Sequence, residues 1–222
     1  MRNVAIVAVR FSMVNCYLLK TGESFVLVDT GFSWQRRTLR KALQRSGCRP
    51  GNLKLVVITH GDFDHTGNCA WLRRKYGTPV AIHRAEAGVV EKGRMLLSRR
   101  NLPGWFGRAM IHLMGRLVFH RFKPDLLLAE GDDLSQYGLD ARVIHVPGHS
   151  TGSIGLLTIE GAFFCGDLLT TKNGRPIRGV IVDDSAEMDA SIERLGDLGV
   201  RTVYPGHGRP FTMAEFTASN HV

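Results

Sequence analysis

The chain has 222 residues, 44% of them hydrophobic and 22% charged, a composition that suits a folded protein with a sizeable core. No apolar run approaches the roughly 20 residues needed to span a bilayer. Formal net charge is 29 − 20 = +9, which favours acidic partners in association; no nucleic-acid-binding motif accompanies it, so nucleic acid is not an expected partner.

The first residues, MRNVAIVAVRFSMVNCYLL, are apolar, but Arg10 interrupts them and no small-residue cleavage pattern follows. They read as two strands rather than as a signal peptide. A third strand is expected at SFVLVDTG, ending on Asp29. Residues 33–46 place Trp34, Thr38, Leu39, Ala42 and Leu43 on one helical face, with Gly47 as the stop. LKLVVITH is apolar almost throughout, a strand expected to be covered on both faces. GNCAWLRRKYG then reads as helix and PVAIH as strand, so strands and helices alternate in this half.

Residues 84–123 break the rhythm and read as a helical insert. Pro103 and Gly104 divide it. Beyond them Trp105, Ala109, Met110, Leu113, Met114, Leu117 and Val118 recur at helical spacing, opposite Arg108, His112, Arg116 and His120. From Val90 to Lys123 eight Lys/Arg stand against Glu91, so 8 − 1 = +7 of the excess charge lies here. The apolar face, with Trp105 and Phe106, suits four roles: lining an acyl pocket, a homodimer interface, contact with an anionic membrane surface, or plain packing.

Strands follow at DLLLAEG, ARVIHVPG, SIGLLTIEG and AFFCGD, then a helix from Ala186 to Leu198, a strand and turn at RTVYPGHG, and a helix from about Thr212. Each half is thus strands followed by helix, strand and helix. The expectation is an α/β fold over residues 1–222 as one domain, two sheets face to face with helices outside. Cys16, Cys48, Cys69 and Cys165 form no CxxC pair, which points to a reducing compartment, the cytoplasm.

Ligand-type side chains gather at the strand ends. VVITHGDFDHTGN sets His60, Asp62, Asp64 and His65 directly after an apolar run. Imidazole and carboxylate are ligands for zinc, iron and manganese. Alone, the cluster reads equally well as a helix cap made by Asp64 or Thr66. But HVPGHS presents His149, FFCGD presents Asp167 and VYPGHG presents His207, each after a glycine and near a strand end. Asp29 likewise ends an apolar strand, where a carboxylate is costly unless paired or metal-bound.

The order Asp29, His60-x-x-x-Asp64-His65, His149, Asp167, His207 resembles the metallo-β-lactamase superfamily, over nearly the whole chain. The resemblance implies an αββα four-layer sandwich, two mixed sheets with helices outside, holding two divalent metal ions, zinc by family. It puts His60 and His149 on the first metal, Asp64, His65 and His207 on the second, and Asp167 between them. Asp29 matches a carboxylate that orients ligands without binding metal. Catalysis would fall to Asp167 and to Asp64 as proton carrier.

Asp62 departs from the pattern, since the family usually has histidine there. Alternate residues share a face, so ligation through oxygen is favoured over a side chain that points away. A third carboxylate makes the site less positive and its bound water less acidic. The harder ligand also shifts preference toward iron or manganese. Relatives with glutamate here are di-iron proteins.

The implied reaction is hydrolysis of a small ester, lactone or thioester by metal-bound hydroxide. An iron-dependent oxidoreductase of the same fold and a nucleic-acid-processing metallo-hydrolase are the alternatives. Lactonases of the family carry tyrosine three residues after the bridging aspartate, where this chain has Thr170. Glyoxalase-like thioesterases add a helical domain after the last histidine, and here fifteen residues follow His207 (222 − 207). Lys172 and Arg175 are candidate grips for a substrate carboxylate or phosphate, or inert loop charges. His145, Cys165 and Tyr204 read as packing residues.

Overall fold

A computed structural model describes residues 4–93 and 121–220. The first sheet runs β1 (Ala5–Arg10), β2 (Asn15–Thr21), β3 (Ser24–Val28), β4 (Leu53–Ile58), β5 (Val80–His83) and β6 (Leu126–Leu128), side by side in chain order. Its first three strands are antiparallel and the remainder parallel. The second sheet uses β7 (Ala141–His145), β8 (Ile154–Thr158), β9 (Ala162–Gly166), β12 (Thr202–Pro205) and β13 (Phe211–Thr212), ordered β13-β12-β9-β8-β7. A separate hairpin joins β10 (Leu169–Lys172) to β11 (Arg175–Arg178).

Alternation along the strands makes three apolar layers. In β4, Leu55 and Val57 face the second sheet, where they meet Val143, Leu156 and Phe164. Val56 and Ile58 face outward onto Leu39 and Leu43 of α1 (Arg36–Arg45) and Leu72 of α3 (Cys69–Tyr76). On the second sheet, Phe163 and Cys165 of β9 face Met188 and Leu195 of α5 (Ser185–Asp197). The order is helix, sheet, sheet, helix, and β4 is covered on both faces as its apolar run requires. Tyr204 packs on Phe164 with ring centroids 4.9 Å apart.

Two stretches differ from expectation. The helix expected over residues 67–77 is present as α3, but a further one-turn helix, α2 (Phe63–Thr66), precedes it, and the two are separate because Asn68 breaks out of helical geometry to donate to the Thr30 and Phe32 carbonyls. Residues 169–178, where the sequence predicts no strand or helix and Lys172 and Arg175 read as substrate grips or loop charges, form the β10–β11 hairpin. Its two-residue turn is Asn173-Gly174, both at positive φ, the sequence that suits such a turn. Lys172 and Arg175 flank that turn as an exposed cross-strand pair, and they are not among the side chains that converge below. The helix at 84–123 begins as α4 (Arg84–Lys92); Trp105, Phe106 and the amphipathic stretch to Val118 lie outside the described residues, and with them the roles read for that stretch. Among the described residues no helix is long and apolar enough to cross a membrane.

Candidate metal centre

Strand direction brings the ligand-type residues to one edge. β3 and β4 are parallel, so Asp29 and His60 leave the first sheet on the same side. β7 and β9 both run antiparallel to β8, and β12 runs parallel to β9. The chain therefore exits toward His149, Asp167 and His207 on one side of the second sheet. Backbone bonds lock the edges together: Ile154 N–H donates to the Thr59 carbonyl at 2.9 Å, and Asn15 N–H to that of Gly206 at 2.7 Å.

Each of the four histidines is held by Nδ1. His65 Nδ1 lies 2.8 Å from Asp29 Oδ2, and His149 Nδ1 lies 2.7 Å from the Ile181 carbonyl oxygen. His207 Nδ1 contacts the Met13 carbonyl. His60 Nδ1 lies 3.0 Å from the Thr59 hydroxyl, which donates to Asp29 and so accepts from the imidazole. Acceptors at every Nδ1 leave each Nε2 as the atom that could ligate a metal. Asp29 does this from a left-handed conformation, φ 59°, with its carboxylate also accepting from Thr59 N–H. Strain at a non-glycine residue that anchors two ligand positions is the kind that persists at functional sites.

The Nε2 atoms converge on three carboxylates. His149 Nε2 is 3.3 Å from Asp62 Oδ2, and His60 Nε2 is 3.6 Å from the same atom. His207 Nε2 is 3.3 Å from both Asp64 Oδ2 and Asp167 Oδ2. His65 Nε2 is 3.3 Å from Asp167 Oδ1. The ligand atoms of His60, Asp62 and His149 lie within 4.8 Å of one another, as do those of Asp64, His65 and His207, and of His60, His65 and Asp167. The structure thus brings together every residue of the ligand set read from the sequence, with Asp62 turned toward the first group.

Two observations test whether a cation suits this point. Among the described residues, His60 Nε2, His65 Nε2 and Asp167 Oδ1 are buried and make no well-formed hydrogen bond, the 3.3 Å approach of His65 Nε2 to Asp167 Oδ1 included, a costly arrangement unless something ligates them. The electrostatics also call for positive charge. Burial pushes the Asp167 carboxyl up, but His65 and His207 outweigh it and hold the group well below the usual carboxylate range. Burial opposes the charge on His207, yet Asp167 and Asp64 raise its pKa to about 10. His65 is raised in the same way, by Asp29, Asp64 and Asp167 against burial. The carboxylates draw protons onto His65 and His207, while burial and the neighbouring His65 and His149 hold His60 below its usual value. A divalent ion would supply the positive charge in the protons' place.

The remaining candidates pack elsewhere. Cys165 faces α5 rather than the centre. His145 stacks on His83 at 4.4 Å. Thr170, at the position of the lactonase tyrosine, donates to the His207 carbonyl at 2.9 Å. All four cysteines are buried and unpaired.

The profile of the metallo-beta-lactamase superfamily matches residues 9–207. The chain belongs to this superfamily. It is 29% identical over 237 residues to the acyl-coenzyme A thioesterase MBLAC2 of Bos taurus, covering 94% of this chain and 78% of the relative. Among solved structures, TTHA1623 in a di-iron-bound form is 28% identical, with a TM-score of 0.70 and 98% of both chains covered. The B3 metallo-beta-lactamase BLEG-1 shares the fold at TM-score 0.73 and 23% identity, over 99% of this chain and 98% of that one.

Proposed function

We propose that the chain is a metal-dependent hydrolase of acyl thioesters, with His60, Asp62 and His149 around one divalent ion, Asp64, His65 and His207 around another, and Asp167 facing both. The observation that carries this reading is the convergence of four Nδ1-anchored imidazoles on three carboxylates. Bound divalent ions would supply Lewis acidity and an activated water. Asp64 and Asp167 are the carboxylates placed to hold a proton during acyl transfer, and Asp29, Thr59 and the Met13 and Ile181 carbonyls keep the imidazoles aimed.

The thioester part draws on the MBLAC2 relative and on the rim of the centre. Met13, Trp34, Val180 and Ile181 are four of the seven exposed large hydrophobics among the described residues. Each is tied to the site. Met13 and Ile181 hold His207 and His149 through their carbonyls, and Val180 adjoins Ile181. Trp34 stacks on Phe32 at 4.3 Å, and Phe32 meets Phe63, between Asp62 and Asp64, at 5.5 Å. An apolar mouth around a polar centre fits an acyl chain with its carbonyl at the ions.

The test is hydrolysis of acyl-coenzyme A thioesters of graded length by protein loaded with zinc, manganese or iron. Turnover with any of them supports the reading, and none with all three sinks it. Trp34→Ala is expected to raise KM for a long-chain thioester about tenfold at unchanged kcat, and to leave a short-chain substrate unaffected, as loss of apolar burial predicts. Elemental analysis offers a second check. The unmodified chain should carry about two ions and Asp62→Ala about one, while Asp62→His restores the second. An Asp62→Ala protein that still holds both would remove Asp62 from the ligand set.

An iron oxidoreductase is the second reading, favoured by the oxygen donor at Asp62 and by the di-iron form of TTHA1623. Iron-loaded protein that consumes oxygen and leaves thioesters intact would select it.

A further inference from the structure

Glu86 lies in the first turn of α4, 5% exposed. Its two carboxylate oxygens serve two different loops. Oε2 accepts the Gly61 N–H at 3.0 Å, and Oε1 accepts the Gly152 N–H at 3.1 Å. Gly61 stands between His60 and Asp62, and Gly152 stands three residues after His149. One carboxylate therefore joins the loop of the first sheet that carries His60 and Asp62 to the loop of the second sheet that carries His149.

The approach is close enough to exclude side chains. A Cβ at Gly61 would sit 2.6 Å from Glu86 Oε2, and one at Gly152 would sit 2.6 Å from Glu86 Cγ and 3.1 Å from His83 Nδ1. The start of α4 is itself fixed. The His83 side chain accepts from Ala85 N–H at 3.3 Å and its ring stacks on His145 of β7, 4.4 Å apart and 11° from parallel. A buried carboxylate that contributed only cohesion would be a costly choice against an apolar side chain. Here its charge-assisted bonds set the spacing of two loops.

Among the described residues, the trio Asp64, His65 and His207 receives no such bond. His65 is oriented by Asp29, and His207 by the Met13 carbonyl. The two N–H groups that Glu86 holds thus stand beside members of the first group, Gly61 between His60 and Asp62 and Gly152 after His149.

We infer that Glu86 is a positioning residue for the first metal position: it holds the Gly61 and Gly152 backbones at the separation that lets His60, Asp62 and His149 close on a single ion. This rests on the reading of the centre as a two-metal site. Glu86 touches neither metal nor substrate, and its effect passes through the two N–H groups.

The experiment is cobalt(II) titration of metal-free protein, followed by visible absorption and by competition with a chelator, on the unmodified chain, Glu86→Gln and Gly152→Ala. Asp62→Ala serves as the reference that identifies the first-position spectrum. Glu86→Gln keeps one acceptor oxygen but turns an NH2 toward the other N–H, so one half of the clamp is lost. Its affinity for cobalt at the first position is expected to fall about 10- to 100-fold, the usual size for a group that orients ligands, with the second position unchanged. Gly152→Ala pushes on the same carboxylate from the other side and is expected to do the same.

A purely structural role would lower the thermal midpoint and weaken both positions in parallel, and that result overturns the proposal. So does a Glu86→Gln protein that fills both positions as the unmodified chain does, or failure of both variants to fold. An unmodified chain that takes up fewer than two ions instead overturns the two-metal reading, and this inference falls with it.

Discussion

Asp167→Asn is expected to lower thioester hydrolysis about a thousandfold, the scale for removing a charged group on which the reacting centre depends. Asparagine keeps the shape and deletes the charge. Asp167 is the carboxylate that three imidazoles face: its oxygens lie 3.3 Å from His65 Nε2, 3.3 Å from His207 Nε2 and 3.8 Å from His149 Nε2. His149 belongs to one ligand group, and His65 and His207 to the other. Loss of the charge therefore weakens both positions, in contrast to Asp62→Ala, which should weaken one. Metal content measured beside kcat/KM separates the two variants. Adding Asp64→Asn to Asp167→Asn should cost little more, because groups that act as a unit are not additive. An Asp167→Asn protein within tenfold of the unmodified rate would place the chemistry elsewhere.

Phe164→Ala is expected to cost about 3–5 kcal/mol of stability, the range for deleting a fully buried aromatic ring. Phe164 has no solvent exposure and sits in the layer between the sheets. Its ring lies 5.3 Å from that of Tyr17 on the first sheet and 4.9 Å from that of Tyr204 on the second. Tyr17 cannot collapse into the gap, since its hydroxyl donates to the Pro205 carbonyl at 2.7 Å. At about 2–4 °C per kcal/mol for a chain of this length, the thermal midpoint should fall by about 6–20 °C. Circular dichroism of the metal-free protein would show it. A fall of less than about 3 °C would contradict a core shared by both sheets.

What could be read in the sequence divides along physical lines. β4 was legible because an unbroken apolar run of strand length has few other fates. The residues that converge were legible because carboxylates and imidazoles at apolar strand ends are expensive and need a reason. The resemblance supplied their order along the chain; strand direction supplies their convergence. The β10–β11 hairpin was missed although Asn173-Gly174 is a strong turn signal, because the charges on either side of it drew a reading as loop. The split between α2 and α3 was hidden because it depends on Asn68 reaching the Thr30 and Phe32 carbonyls, a contact between parts of the chain 36 to 38 residues apart. Two of the four imidazole anchors are carbonyl oxygens, at Met13 and Ile181, and every residue has one, so no side-chain pattern marks them. Glu86 was similarly concealed, since a single glutamate in RAEAGVV looks like any solvated position on a helix.

The anchoring of His207 and His149 by carbonyls separates two properties that enzymes often tie together. Met13 and Ile181 hold the imidazoles with backbone atoms and are themselves exposed, so that under the proposed function their side chains would rim the mouth. A substitution at either place changes what the mouth welcomes while the same carbonyl oxygen stays in place. Bulk, branching or charge can vary there without disturbing the aim of either ring. A lineage built on this scaffold can therefore change its clientele by single steps, each leaving the reactive centre intact, and a laboratory library confined to residues 13 and 181 should yield altered preferences far more often than dead protein.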